Sequence, residues 1–177
     1  IDTEIRLARK PKNHAGITLK MNSLSDEILI AKLNQAARAG VEVRLIIRGI
    51  CCMYTQNAKF RFPVSAVSIV DEYLEHARVW VFNNKGKPKV YISSADWMVR
   101  NLDHRVEVTC PVWDEQIKQE LIDILNIQLH DNVKARWLDN QLSNEYVRSS
   151  RKKIRSQVET YQYLLKKITT TSETGSH

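Results

Sequence analysis

The chain has 177 residues, of which 43% are hydrophobic and 27% are charged, and its formal net charge is +7 at pH 7. This composition is ordinary for a globular protein, and the length suits one domain with an appendage. The sequence has no apolar run of about 18 residues, which argues against a transmembrane helix, and the charged residues 1–10 do not resemble a secretory signal. The positive charge favours a polyanionic partner, such as nucleic acid, an acidic membrane surface or a phosphate-bearing substrate.

The first third of the chain predicts an α/β arrangement. Residues 1–10 are typical of a helix, and residues 16–21 alternate as a strand does. Ser25 is a suitable N-cap for a helix that Gly40 would end. Residues 41–47 then form an apolar, β-branched strand. A strand, a helix and a second strand with short connections predict that the two strands are parallel.

The rest of the chain continues the alternation of strands and helices. The predicted loop at 49–63 has 15 residues, and loops of that length are usually functional or mobile. The predicted elements are, in chain order, a long loop (49–63), a strand (67–70), a helical turn (71–75), a hairpin (78–82 and 89–93), a strand (106–109), a helix that Asp114 caps, and a basic helix (152–167).

Arg48 is the first candidate for chemistry. It follows an apolar strand directly, and α/β sheets bind ligands at the carboxyl ends of their strands. The planar guanidinium can hold two phosphate oxygens at once. A salt bridge with a nearby carboxylate explains the same position equally well, so position alone leaves both interpretations open.

His76 and Arg78 form the second candidate, because alternate residues entering a strand share one face of the sheet. A neutral imidazole can act as a base or nucleophile, and a protonated one can stabilise phosphoryl charge. A lone histidine is more often a hydrogen-bonded residue without such a role.

The third candidate is the turn at residues 93–101, which brings together Ser94, Arg100 and Asn101. Donors in such a turn can cradle an anion, although Ser94 would equally suit the N-cap of a helix. Glu107 faces away from its apolar neighbours and either orients a basic residue or meets solvent.

The cysteines and the remaining histidines do not predict a metal site. Cys51 and Cys52 are adjacent and Cys110 stands alone, with no CxxC spacing. Reduced structural thiols in a cytoplasmic protein are the favoured interpretation.

Several segments together resemble the C-terminal domain of the polyphosphate kinase family. The type it resembles is the long-chain polyphosphate kinase, which is phosphorylated on a histidine. The resemblance covers the chain from its start to about residue 167. The matching segments are 20–24 (KMNSL), 48–52 (RGICC), 73–76 (YLEH), 90–98 (VYISSADWM), 101–108 (NLDHRVEV) and 131–136 (DNVKAR).

The resemblance implies an α/β, phospholipase D-like fold: a mixed sheet flanked by helices, with a C-terminal helical extension. Its expected parts are the catalytic domain (1–145), a basic helix (146–168) and a disordered tail (169–177). Residues 53–63 depart from the family pattern, which usually has a loop with Pro and Gly there.

The resemblance also implies reversible transfer of the terminal phosphate of ATP to polyphosphate. Arg48 and His76 match the family's ATP-binding residues, with His76 in an auxiliary catalytic role. Arg78, Ser94, Arg100, Asn101 and Glu107 are further candidates for contacting phosphate or supporting those contacts.

The nucleophilic histidine would belong to an upstream domain that this chain lacks, so the chain alone would be inactive. Mg²⁺ is expected with ATP, with its ligands upstream. The expected partners are ATP, ADP, polyphosphate, the upstream domains and further copies of the full-length enzyme, with no specific nucleic acid. The expected location is cytoplasmic or peripheral to the inner face of a bacterial membrane.

Two other functions fit parts of the sequence. A phospholipase D-like phosphodiesterase would use His76 and Arg78 where that superfamily has His-x-Lys, but arginine replaces the lysine. A non-catalytic polyanion-binding module would need only the charge, and its binding would depend steeply on salt.

Overall fold

Two parallel strands and the helix between them form the centre of the molecule. The structure is a computed structural model that describes residues 1–10, 13–150 and 152–174. Strand β1 (Gly16–Met21) leads through helix α2 (Glu27–Ala39) into strand β2 (Glu42–Ile47). The two strands pair in parallel register from Gly16 opposite Glu42 to Met21 opposite Ile47. The predicted strand–helix–strand unit is therefore confirmed.

The sheet has seven strands and is mixed, as predicted. Its order is β6-β5-β4-β1-β2-β3-β7; β2 and β3 pair in parallel, and the outer strands pair antiparallel with their neighbours. The other strands are β3 (Ser65–Ile69), β4 (Val79–Phe82), β5 (Lys89–Ser93), β6 (Thr109–Val112) and β7 (Ala135–Trp137).

Alternate residues of the central strands supply two separate cores, one on each face of the sheet. Leu45 of β2 packs in the core beneath α2 and helix α1 (Asp2–Ala8), whereas its neighbour Ile46 lies in the core on the opposite face. Helix α4 (Glu115–Leu129) covers that second face through Leu125. Burial on both faces explains why β2, after Glu42 and Arg44, ends in an unbroken apolar run at residues 45–47.

The N-cap of helix α2 lies one residue later than predicted. Asp26, not Ser25, is the N-cap, and its carboxylate accepts the Leu29 N–H at 2.8 Å. At the other end Gly40 adopts φ 94°, a left-handed conformation that ends the helix as predicted.

Replacing Asp26 by alanine should lower the free energy of unfolding by about 1 kcal/mol, because the Leu29 N–H loses its acceptor. Urea denaturation measures this change. Ser25→Ala is the matched control and should have little effect. Equal losses in both variants would contradict the capping assignment.

Two predicted elements in the middle of the chain were wrong. The strand predicted at 106–109 lies instead at Thr109–Val112, and Val106 is fully exposed. Pro111 is tolerated inside this strand because β6 is an edge strand. Residues 71–75 form no helical turn but an irregular segment, whose polar groups bond to other parts of the chain.

The long loop after β2 is fixed to the segment that follows β7. Thr55 is buried, and its hydroxyl donates to the Leu138 carbonyl at 2.8 Å. Asn140 accepts the Thr55 N–H at 2.9 Å and donates to the Gln56 carbonyl at 2.7 Å. These contacts define the conformation of the loop.

The C-terminal helix α5 (Ser156–Thr174) starts later than the predicted residue 152. Residues 152–154 pair with Asn132 instead: Asn132 donates to the Lys152 carbonyl and accepts the Ile154 N–H. The boundary at residue 145 stays a prediction. The predicted tail at 169–177 overlaps the end of α5, and residues 175–177 lie outside the described part of the chain.

Asp131, which is fully buried, fixes the start of α5 to the loop before β7. One of its oxygens accepts N–H groups from Val133, Lys134 and Ala135, and the other accepts the Ser156 N–H at 2.7 Å. Burial opposes the charge of this carboxyl, but these N–H groups hold its pKa below the usual range. The first turn of α5 therefore has a defined place against the sheet domain.

None of the helices that the structure describes is both long enough and apolar enough to cross a membrane. The three cysteines are free, as predicted, and burial raises the pKa of the Cys51 thiol.

Candidate functional site

The carboxyl ends of β1 and β2 bring Asn22 and Arg48 side by side. Each residue directly follows its strand, and the last residues of the two strands, Met21 and Ile47, lie opposite each other in the parallel register. This edge is where ligands bind in sheets of this kind. Arg48 is half-buried, so its guanidinium is partly shielded from water while it still reaches the surface.

The guanidinium of Arg48 contacts His76. Its Nε and Nη2 atoms lie 3.0 and 2.6 Å from Asn22 Oδ1, and Nη1 lies 3.0 Å from the Glu75 carbonyl oxygen. Nη2 also lies 3.3 Å from Nδ1 of His76. Because a guanidinium can only donate, this contact is a hydrogen bond when Nδ1 carries no proton and acts as the acceptor. The structure thus brings the two principal predicted residues together.

Two cations beside Arg48 are already neutralised by carboxylates. The Lys20 ammonium pairs with Glu75, and Arg78 pairs with Asp96 at 3.0 Å. The partners of Arg48, in contrast, are all uncharged: an amide oxygen, a main-chain carbonyl and an imidazole. Within the part of the chain that the structure describes, Arg48 forms no salt bridge. The alternative interpretation, a structural salt bridge of Arg48, therefore lacks the carboxylate partner it requires in the described residues.

Arg78 serves the buried frame of the site. Its Nε and Nη2 atoms lie 3.1 and 3.0 Å from the two oxygens of Asp96, whose side chain is 2% exposed. Asp96 also accepts the N–H groups of Asn22 and Ser23 at 2.8 and 3.2 Å. Burial raises the pKa of Asp96, but Arg78 and these N–H groups outweigh it and hold the pKa below its usual value. Asp96 thereby positions Asn22, which orients Arg48.

Lys20 and Glu75 fix the other side of the site. Lys20 is 7% exposed and donates to Glu75 and, at 3.0 Å, to Gln128 of α4. Gln128 donates in turn to Glu75 at 2.7 Å. Burial lowers the pKa of Lys20, although Glu75 counteracts it. Since Glu75 precedes His76 and its carbonyl receives Arg48, this buried network sets the backbone beneath both candidate residues.

A second polar group contains three of the remaining candidates. Glu107 accepts hydrogen bonds from the Ser94 hydroxyl and, at 2.5 Å, from the Asn101 amide. These two donors lower the pKa of Glu107. Asn101 is 3% exposed, and its amide oxygen has no partner in the described residues. The three residues support one another, and their role toward a phosphate stays a prediction.

Two expectations about this region were wrong or remain open. Ser94 is not a helix N-cap, because the short helix α3 (Val99–Asp103) begins after Met98. Arg100 is exposed, and no hydrogen bond or ion pair joins it to the groups around Arg48 in the described residues. Its predicted contact with phosphate stays a prediction.

The carboxylates of this edge do not fit a dedicated Mg²⁺ site. Across the residues that the structure describes, no three His, Cys, Asp or Glu side chains are grouped so that they could hold a metal ion. Asp96 is committed to Arg78 and two N–H groups, and Glu107 to Ser94 and Asn101. The described residues therefore offer no set of ligands for a metal ion at this edge.

Sequence reasoning missed Asn22 and Asp96 as parts of the site. Asn22 follows a strand that was predicted to be parallel to the one before Arg48, so the register contained the signal that the two side chains adjoin. Asp96 carries a weaker signal. It lies in the segment 90–98, but nothing in its spacing indicates a partner 18 residues earlier in the chain, Arg78.

The chain is similar to known proteins over most of its length. The model of the family described as polyphosphate kinase C-terminal domain 2 matches residues 1–157. A polyphosphate kinase of Vibrio cholerae is 52% identical over 165 residues, which cover 93% of this chain and 23% of that protein. The chain therefore spans about a quarter of the length of the curated relatives it matches.

Solved structures show the same fold. The crystal structure of a polyphosphate kinase from Porphyromonas gingivalis matches with a TM-score of 0.91 and 46% identity, over 96% of this chain and 26% of that one. Nuc from Salmonella typhimurium, a phospholipase D family member, matches with a TM-score of 0.54 and 13% identity, over 77% of this chain and 89% of that one. The predicted phospholipase D-like fold is confirmed.

Proposed function

The chain belongs to the polyphosphate kinase C-terminal domain family, and from this membership we propose that it supplies one half of a site where ATP and polyphosphate exchange a phosphate. Arg48 and His76 would bind the phosphates of the nucleotide. The observation that carries the proposal is the uncompensated charge of Arg48, held against His76 at the carboxyl edge of the sheet. The neighbouring cations are paired, so an incoming anion would be drawn to Arg48.

The donors of Arg48 are suited to a phosphate. A guanidinium has five N–H groups, and the contacts with Asn22 and Glu75 fix its plane. A phosphate oxygen that displaces the imidazole from Nη2 would form a bond in which both partners are charged, in place of one to an uncharged acceptor. Because Asn22 and Glu75 stay in place, the guanidinium would not need to reorganise when the ligand arrives.

His76 would take part through its exposed imidazole. Once its Nδ1 is released from Arg48, the ring can protonate and donate a hydrogen bond to a phosphate oxygen. In this state both residues would carry positive charge toward the transferred group. Phosphoryl transfer is catalysed mainly by such positioning and charge stabilisation.

The proposed reaction is ATP + polyP(n) = ADP + polyP(n+1), and it proceeds in two steps. A histidine nitrogen of an upstream domain attacks the terminal phosphorus, the bond to the bridging oxygen breaks, and ADP leaves. A terminal oxygen of polyphosphate then attacks the phosphohistidine, and the P–N bond breaks. The Mg²⁺ that accompanies ATP in kinases would be held by groups outside the described residues.

Joining the chain to the upstream part of a polyphosphate kinase tests this proposal. We expect this reconstituted enzyme to synthesise polyphosphate from ATP and the chain alone to do so at background level. His76→Ala should reduce synthesis while leaving the circular dichroism spectrum unchanged. Full activity of the His76→Ala enzyme would contradict the proposed role.

A phosphodiesterase is the second candidate, because the fold is shared with a phospholipase D family member. Arg78 is committed to Asp96, which argues against its use in binding a substrate phosphate. Release of product from a model phosphodiester by the purified chain would favour this candidate. Equal affinity for DNA and polyphosphate, lost steeply with salt, would instead favour a polyanion-binding module.

A further inference from the structure

The segment that carries His76 is held in place by the first turn of α5. Residues 71–76 have no regular secondary structure, so their conformation depends on side-chain contacts. The sheet and α4 supply some of these contacts, through Lys20, Arg78 and Gln128. The others come from the residues on either side of Ser156, which Asp131 anchors to the loop before β7. The segment is thereby attached to a fixed point of the fold 80 or more positions later in the chain.

Arg155 holds the beginning of this segment. Its Nε and Nη2 atoms each lie 2.8 Å from an oxygen of Asp71, and Nη2 lies 3.0 Å from Glu72. The Asp71 side chain is 1% exposed, so the carboxylate of this bidentate pair is shielded from water. The pair with Arg155 lowers the pKa of Asp71, with Lys134 adding a smaller effect at 3.5 Å.

Gln157 holds the middle of the segment through both of its amide atoms. Its Oε1 accepts the Tyr73 N–H at 3.0 Å, and its Nε2 donates to the Tyr73 carbonyl at 2.8 Å. These two bonds imitate one rung of a β-ladder. The same Nε2 lies 3.0 Å from Oε1 of Glu75, the residue whose carbonyl receives Arg48.

We propose that Arg155 and Gln157 are positioning residues that place His76 and the Glu75 carbonyl against Arg48. The C-terminal helix would then be part of the nucleotide site without touching the nucleotide. This inference rests on the proposed function, since it assigns α5 a role in the same site. Without the two side chains, residues 71–76 would sample other conformations. The Nδ1 atom of His76 would then no longer lie within hydrogen-bonding distance of Arg48.

Gln157→Ala in the reconstituted enzyme tests the inference. We expect kcat/KM for ATP to fall by roughly 10-fold or more, because small displacements of catalytic groups are costly. In the isolated chain, hydrogen exchange at the Tyr73 amide should accelerate, and the ¹⁵N signals of His76 should lose the pattern of an unprotonated, hydrogen-bonded Nδ1. A helix with only a structural role would leave that histidine signal unchanged.

Tyr163→Phe is the matched control. It removes a hydrogen bond from α5 to Asp123 of α4, at 2.8 Å, and lies away from the His76 segment. We expect its kcat/KM to stay within about twofold of the parent enzyme, because the contacts of the His76 segment are kept and no group of the site is displaced. An equal loss in both variants, or unchanged exchange and histidine signals in Gln157→Ala, would overturn the inference.

Arg155 provides an independent pair of variants. Arg155→Ala should lower kcat/KM, and Arg155→Lys should recover part of it by restoring one bond to Asp71. If Arg48→Ala and His76→Ala leave ATP binding unchanged, the proposed function itself fails. If those two abolish binding while Gln157→Ala and Arg155→Ala change nothing, the inference about α5 fails alone.

Discussion

Replacing Arg48 by alanine is expected to weaken ATP binding to the reconstituted enzyme by roughly 10- to 100-fold. Hydrogen bonds to charged groups contribute about 1.5–3 kcal/mol each, and every 1.4 kcal/mol changes affinity about tenfold. Arg48 is the cation at the carboxyl edge whose described partners are all neutral. Its removal therefore takes away positive charge that no carboxylate of the described site was balancing. Isothermal calorimetry with ATP measures the loss.

Arg48→Lys separates charge from geometry. Lysine keeps the charge but not the planar fork, so its affinity should fall between those of the parent and Arg48→Ala. The melting temperature should change little in either variant, because Arg48 is half-buried and pairs with no described carboxylate. Parent-like affinity in Arg48→Ala would contradict the assigned role.

Replacing Arg78 by methionine is expected to lower the free energy of unfolding by about 3–5 kcal/mol, the cost of leaving one charge of a buried pair without its partner. The two side chains are 11% and 2% exposed, so water cannot replace Arg78 beside Asp96. Denaturant titration at pH 7 measures this change. The double variant Arg78→Met with Asp96→Asn should recover part of the stability, because the stranded charge is gone.

The same pair predicts how the loss depends on pH. The folded-state pKa of Asp96 lies below its usual value, so the pair stabilises the fold above the unfolded pKa of about 3.9. This contribution disappears as the pH falls through the folded pKa. The difference between parent and Arg78→Met should therefore be largest near neutral pH and shrink on acidification. A difference that grows in acid would contradict it.

An exposed ion pair provides the control. Lys32 and Asp2 lie 2.8 Å apart with side chains 37% and 69% exposed. Lys32→Met should change stability little, because water solvates both charges when the pair is lost. A loss in Lys32→Met that equals the loss in Arg78→Met would indicate that burial is not the cause.

Periodicity predicted the central elements because local pattern and tertiary packing agree there. Strand β2 is buried on both faces and α2 has one apolar face, so each pattern matched its environment. The predicted strand at 106–109 failed because Val106 and Val108 alternate as strand residues do but lie exposed. The strand lies a few residues later and contains Pro111, which an edge strand tolerates.

The candidate site was predictable where residues follow strand ends. Arg48 was found because it follows a strand, whereas His76 was found because it leads into one. Their contact also depends on β4 pairing antiparallel with β1, which brings the start of β4 to the carboxyl ends of β1 and β2 and which the sequence did not indicate. The support of the site was not predictable, because Asp71 and Arg155 are 84 positions apart in sequence and Lys20 and Gln128 are 108 apart. Such pairs have no local pattern. Only the packing of α4 and α5 against the sheet brings them together.

The central claim is that Arg48 and His76 bind the same phosphates, and a double-mutant cycle on ATP affinity tests it most directly. Calorimetry would compare the reconstituted parent enzyme with Arg48→Ala, His76→Ala and the double variant. We expect each single variant to bind ATP more weakly and the double variant to lose much less than the product of the two losses, since contacting residues that share a ligand are coupled. Losses that multiply, or a single variant that binds like the parent, would contradict the shared site.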